Sequence, residues 1–162
     1  MIKTCLTAAA IALITPFGAG GAVSAQTTEA VETMPVLTLE ASQTVMKAAE
    51  AEAAKNGASS IVIVDVSGAP LLLHRMTGAF PASAAIAQGK ARTAVDFRTS
   101  TAKMEAGING PRQALLSSGY VMMEGGVPLL LDGHVVGAVG VSGGTKEQDN
   151  AVATAGAAAL DD

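Results

Sequence analysis

Apolar and polar positions follow a helical rhythm from residue 38 onward, with Leu39, Met46, Ala49 and Ala53 on one side. Glu40, Lys47, Glu50 and Glu52 fall on the other. Thr38 is placed to cap this helix and Gly57 to end it, which predicts a helix over residues 38–56. The rhythm then changes. Residues 60–65 form a β-branched run, Ser67-Gly68-Ala69-Pro70 turns the chain, and residues 71–76 return, which predicts a hairpin. After a loop at 78–83, a helix is predicted over 81–97, with Pro81 tolerated in its first turn. A second, short helix over 99–108 is broken by Asn109-Gly110-Pro111. Residues 111–116 can add one further turn, and residues 120–123 read as a short strand ended by Glu124-Gly125-Gly126.

The clearest local signal lies further on. Two apolar runs, 127–131 and 134–142, flank Asp132-Gly133, the pair favoured in a two-residue type I′ hairpin. Thr145 and Gln148 then fit a capping box, and an Ala-rich closing helix runs through Leu160. The order is α-β-β-α-α-β-β-β-α. Hairpins in place of βαβ units predict an α+β domain: an antiparallel sheet of about five strands with helices packed on it. Residues 37–162 read as this single domain, preceded by a polar, flexible lead-in at 26–36.

The first 25 residues follow a different logic. A short basic start, an apolar run from Thr4 to Ile14 and small residues at Val23-Ser24-Ala25 make the pattern of a secretory signal peptide. The run is too short to span a membrane. Cleavage is expected after Ala25, with the product periplasmic or secreted and not inserted in a membrane.

Cleavage leaves no cysteine, because Cys5 is the only one in the 162 residues. Disulfides, thiolate metal sites and c-type haem attachment are thereby excluded from the mature domain. Loss of Lys3 from ten basic residues leaves nine against fourteen acidic. That balance offers no footprint for nucleic acid or anionic lipid. Outside the leader the aromatics are Phe80, Phe97 and Tyr120, so the core must be aliphatic and Ala-rich.

The glycines at 137, 140, 143 and 144 suggest a phosphate loop at first sight. Their spacing does not match a dinucleotide fingerprint, they follow a hairpin, and Gly144 precedes Thr145-Lys146 where a P-loop requires Lys-Ser/Thr. Glu147 and Asp149 would also repel a phosphate from the helix start. The stretch is expected to be a strand, a corner and a capped helix, with Gly137 and Gly140 permitting close approach inside the sheet.

The same stretch, GGVPLLLDGHVVGAVGVSGGTKEQDNAVATAG, resembles the C-terminal signature of the GlcG/HbpS family, the haem-degrading domain family. IVIVDVSGAPLLLHRMTGA resembles its first hairpin and IAQGKARTA its central helix, so the likeness spans about residues 37–160. It implies an α+β fold, assembly into homo-oligomers, and non-covalent binding of haem (heme). The family is defined better by fold than by reaction.

Several side chains can then carry chemistry. His74, on the second strand, can serve as an axial ligand to haem iron or stand exposed on the strand's polar face. Lys90, Arg92 and Thr93 match the family's KARTA motif. Lys90 or Arg92 can pair a propionate while Thr93 contacts the bound group. Alternatively, Lys90 runs along the apolar stripe of Ile86, Thr93 and Phe97 to a neighbouring subunit's carboxylate. Glu124, in a tight bend, is a candidate acid, base or metal ligand. Asp65 is placed to cap the Ser67-Gly68 turn. His134 reads as a solvated turn residue, and Met122 and Met123 as thioether donors or core filler.

The leading expectation is an exported, oligomeric haem-binding protein for scavenging, sensing or slow degradation. Two others stay open. One is an enzyme acting on a small carboxylated metabolite at a subunit interface, through Lys90 or Glu124. The other is an accessory subunit without a ligand of its own.

Overall fold

The computed structural model describes residues 34–57 and 59–160. The leader expected at 1–25 and the cleavage expected after Ala25 fall outside the described residues, as does most of the lead-in expected at 26–36. Helix α1 spans Leu39–Ala53, and the side-chain oxygen of Thr38 accepts the Ala41 amide as its N-cap. Strands β1 (Ser60–Asp65) and β2 (Pro70–Arg75) form the first hairpin. Helices α2 (Ser83–Phe97) and α3 (Thr101–Ile108) follow, then a 3-10 turn at Gln113–Ser118. Strands β3 (Gly126–Leu131) and β4 (His134–Ser142) make the second hairpin, and α4 (Lys146–Ala158) closes the domain. No helix among the described residues is long and apolar enough to cross a membrane.

The sheet has four antiparallel strands in the order β2-β1-β4-β3. The strand expected over 120–123 does not form. That segment finds no ladder partner; Thr93 Oγ1 accepts from Val121 N at 3.1 Å, and just past the segment Glu105 Oε2 accepts from Glu124 N at 2.6 Å. The second hairpin matches its prediction. Asp132 and Gly133 take φ of 50° and 79°, the two positive values that a type I′ turn requires. The capping box also forms, with Gln148 N donating to Thr145 Oγ1 and Thr145 N to Gln148 Oε1.

Both faces of the central strands are buried. Ile61 and Ile63 of β1, with Val139 and Val141 of β4, face α1 and α4, whereas Val62, Val64 and Ala138 face α2. This is why β1 reads as an unbroken apolar run. A register shift between Leu129 and Leu130 alters the alternation at the start of β4, leaving Val136 in the α1/α4 cluster and Val135 beside α2.

Helix α2 presents Ala87, Ala91 and Ala94 to the sheet and comes very close to it. A Cβ at Gly140 would meet the Ala87 carbonyl oxygen and come within 2.6 Å of Ala91 N, so only glycine fits there. One narrow helix cannot cover four strands. Leu73 on β2 and Leu130 on β3 remain 51% and 45% exposed on its two flanks.

Candidate functional site

Lys90 lies midway along α2, on the stripe with Ile86 and Thr93, and is fully buried. Its Nζ donates to Asp149 Oδ2 at 2.8 Å and to the Val141 carbonyl at 2.9 Å. The two side chains are 2% and 6% exposed. A buried ammonium is tolerated only when paired and hydrogen-bonded, and both conditions hold here. The partner is therefore Asp149 of the same chain, not a carboxylate of a neighbouring subunit. Asp149 is fixed from its other oxygen, because Gly144 N donates to Oδ1 at 3.0 Å. The carboxylate thus occupies the corner before α4, where a phosphate would have had to bind.

The Glu124-Gly125-Gly126 bend packs onto this pair. Gly125 has φ of 116°, and a Cβ there would sit 2.8 Å from Asp149 Cβ and 3.0 Å from Lys90 Nζ. A Cβ at Gly126 would collide with the Lys90 backbone carbonyl. Gly126 N donates to Thr101 Oγ1 at 2.7 Å, which ties the bend to α3. The two glycines exist because the backbone must lie directly over the ion pair.

A half-open cavity of about 380 Å³ stands above the pair. Ile86, Ile108, Met122 and Phe80 supply an apolar wall, and Lys90, Asp149, Glu105, Glu124 and Lys146 the charged one. Glu105 Oε1 lies 3.6 Å from Lys146 Nζ, a loose contact, while its Oε2 takes the Glu124 amide. Among the described residues no cation lies within ion-pair distance of Glu124. No group of three or more potential metal ligands occurs there either.

Thr93, Arg92, His74, His134 and Asp65 do not converge on this cavity, whereas Met122 and Met123 line it. Thr93 is buried, its hydroxyl donating to the Gly89 carbonyl at 2.8 Å and accepting from Val121 N, so its hydrogen is committed to the fold. Arg92 is exposed, its Nε 3.5 Å from Asp96 Oδ2, and it lines a separate groove with Gly89, Ser118, Gly119, Tyr120 and Val121. In that groove the hydrogen bond to Asp96 raises the Tyr120 phenol above its ordinary value. Tyr120 also meets Phe97 edge-on, with ring centroids 4.9 Å apart.

His74 is on β2, half exposed, with its Nδ1 on the Glu50 carboxylate of α1. His134 is exposed beside the turn, Met122 is buried and Met123 exposed. Asp65 caps its turn as expected. Its Oδ1 accepts from Ser67 N, Ser67 Oγ and Ala69 N, and the Ser67 hydroxyl foremost holds the carboxyl below its usual range.

Asp149, Glu105, Ile108, Ser142 and Lys146 belong to the cavity but were not singled out from the sequence. One signal was available for Asp149. A lysine inside an apolar helix stripe requires a buried counter-charge, and Asp149 falls in the first turn of a helix that follows a glycine corner.

Comparison with known proteins agrees with this architecture. Residues 37–158 match the family model described as haem degrading protein HbpS-like. Protein GlcG of Escherichia coli strain K12 is 41% identical over 113 residues, covering 68% of this chain and 84% of that protein. The crystal structure of HbpS superposes with a TM-score of 0.73 at 32% identity, covering 80% of this chain and 93% of the other. The PduOC:haem complex gives a TM-score of 0.68 at 29% identity, covering 77% and 95%.

Proposed function

The chain belongs to the HbpS-like haem-degrading protein family, and from that premise we propose that it is an exported protein that binds haem non-covalently. The observation that carries the reading is the family match over nearly the whole domain, joined to a structural neighbour solved with haem.

His74 fits the role of axial ligand. Glu50 engages Nδ1, which leaves Nε2 as the nitrogen free to meet a metal on an exposed strand. A carboxylate behind an imidazole orients the ring and raises its basicity, the usual support for a metal-bound histidine. Bound haem would supply the iron and its redox chemistry. The chain would supply the imidazole and apolar surface, whereas Arg92, the exposed cation of the KARTA motif, is on α2 across the sheet from His74 and does not share a site with it within one chain. Thr93 holds α2 to the 120–123 segment and serves the fold in this reading.

Assembly with further copies of the chain belongs to the same proposal. It is supported by the exposed leucines Leu73 and Leu130 on the two edge strands.

The test is a haemin titration of the purified protein, followed in the Soret region. A saturable shift is expected, and its absence overturns the proposal. His74→Ala should alter the spectrum of the complex; an unchanged spectrum removes His74 as the ligand. Light scattering reads the assembly state, where a monomer would refute the oligomer. A mature N-terminus at Gln26, found by mass spectrometry of exported protein, would match the cleavage reading, and an intact leader would oppose it.

A further inference from the structure

We infer that the cavity over the Lys90–Asp149 pair is a binding site for a compact aliphatic ammonium compound, separate from the haem reading. At about 380 Å³ the cavity lies at the small end of the range for small-molecule sites. It is built as such sites are, with one apolar wall and a few convergent polar groups.

The charges select the ligand. Lys90 and Asp149 neutralise each other at 2.8 Å on the floor. At the rim a single cation, Lys146, faces two carboxylates, Glu105 and Glu124, and reaches only Glu105. The rim therefore carries one excess negative charge, and it sits on Glu124. A bare carboxylate ligand would add a second negative charge to a partly enclosed space. An ammonium group at Glu124 would cancel the first.

The apolar side chains Ile86, Ile108 and Met122 would cover a short branched or linear aliphatic body. If the ligand also carries a carboxylate, as an α-amino acid does, Lys146 is the rim cation available to it. The expected class is thus a primary aliphatic amine or an aliphatic amino acid. This differs from the carboxylated metabolite expected from the sequence, on which Lys90 or Glu124 was to act as acid or base.

Three probes with matched bodies separate the possibilities by calorimetric titration of the full protein: leucine, 3-methylbutylamine and 4-methylpentanoate. Saturable binding by leucine or the amine, with 4-methylpentanoate weaker, supports the site. Leucine binding alone identifies an amino-acid site that also reads the carboxylate; amine binding of equal strength identifies a site that reads only the ammonium. Glu124→Gln should weaken the ammonium probes about tenfold, the loss of one charge-assisted contact. Lys146→Ala should weaken leucine but not the amine if the carboxylate is read.

The inference is overturned if 4-methylpentanoate binds as well as the others or better. It is also overturned if Glu124→Gln leaves ammonium affinity unchanged, or if neither ammonium probe binds more tightly than about 1 mM. Haemin titration of Glu124→Gln should match the parent protein, so failure here and failure of the haem proposal are read separately.

Discussion

Replacing Asp149 by alanine should be among the most damaging single changes in the domain. Among the described residues it removes the only carboxylate paired with Lys90, whose side chain is 2% exposed, and leaves the ammonium with the Val141 carbonyl as its partner. Stranding one member of a buried ion pair costs about 3–5 kcal/mol. The second bond of Asp149, from Gly144 N, adds little, because Gly144 is exposed and water can take its place. Against a total stability of roughly 5–15 kcal/mol this is a large share. It corresponds to a fall in Tm of about 12–20 °C for a domain of this size.

The assay is urea denaturation of the parent, Asp149→Ala, Lys90→Met and the double variant, read as a double-mutant cycle. Each single variant should be destabilised, and the double should recover much of the loss, because an apolar replacement no longer buries a lone charge. A cost below about 1 kcal/mol for Asp149→Ala would refute the reasoning. It would mean that water reaches the pair and that the bend over it is open. Simple additivity in the double variant would equally refute coupling between the two charges.

Three further outcomes are expected. Gly140→Ala should destabilise by about 1–3 kcal/mol, since its Cβ meets helix backbone and not a flexible side chain; an unchanged melting curve would show that α2 can move off the sheet. Thr145→Ala should cost about 1 kcal/mol by removing the α4 cap, measurable in the same urea series, and a neutral result would mean that water caps the helix equally well. Asp65 has a folded-state pKa below its ordinary 3.8, so its contribution is present above that value and lost as pH falls through the folded pKa. The stability gap between the parent and Asp65→Asn should therefore close in acid, and a gap that persists there would show that the turn does not depend on the charge.

Much of the fold was legible in the sequence because its signals are local. The Asp132-Gly133 turn, the Thr145/Gln148 box and the apolar run of β1 each follow from a few adjacent residues. The segment at 120–123 was not legible. Whether an apolar stretch becomes a strand depends on a ladder partner reaching it, and here Thr93 takes the Val121 amide and Glu105 the Glu124 amide just past the segment. The candidate site divides in the same way. Lys90 stood out on its helix stripe, but its partner lies 59 residues away, and only the packed structure brings Asp149 against it. Arg92 was found by resemblance and His74 as an imidazole beside an apolar strand, and the two lie on separate parts of the surface.

The pairing of α1 with α4 has a consequence for how the chain is made. These are the first and last elements of the domain, and they are closely joined: a Cβ on Gly156 would lie 3.1 Å from Ala49 Cβ and 3.2 Å from the Val45 carbonyl. Val152 and Ala153 complete the same cluster as Ile61 and Ile63. A polypeptide emerging from the ribosome cannot close that cluster until its final helix has been synthesised. If the chain is exported as proposed, it is still open when its leader would be recognised, which suits threading through a translocation channel. A nascent chain arrested before Lys146 should accordingly remain protease-sensitive, whereas one released after Leu160 should resist.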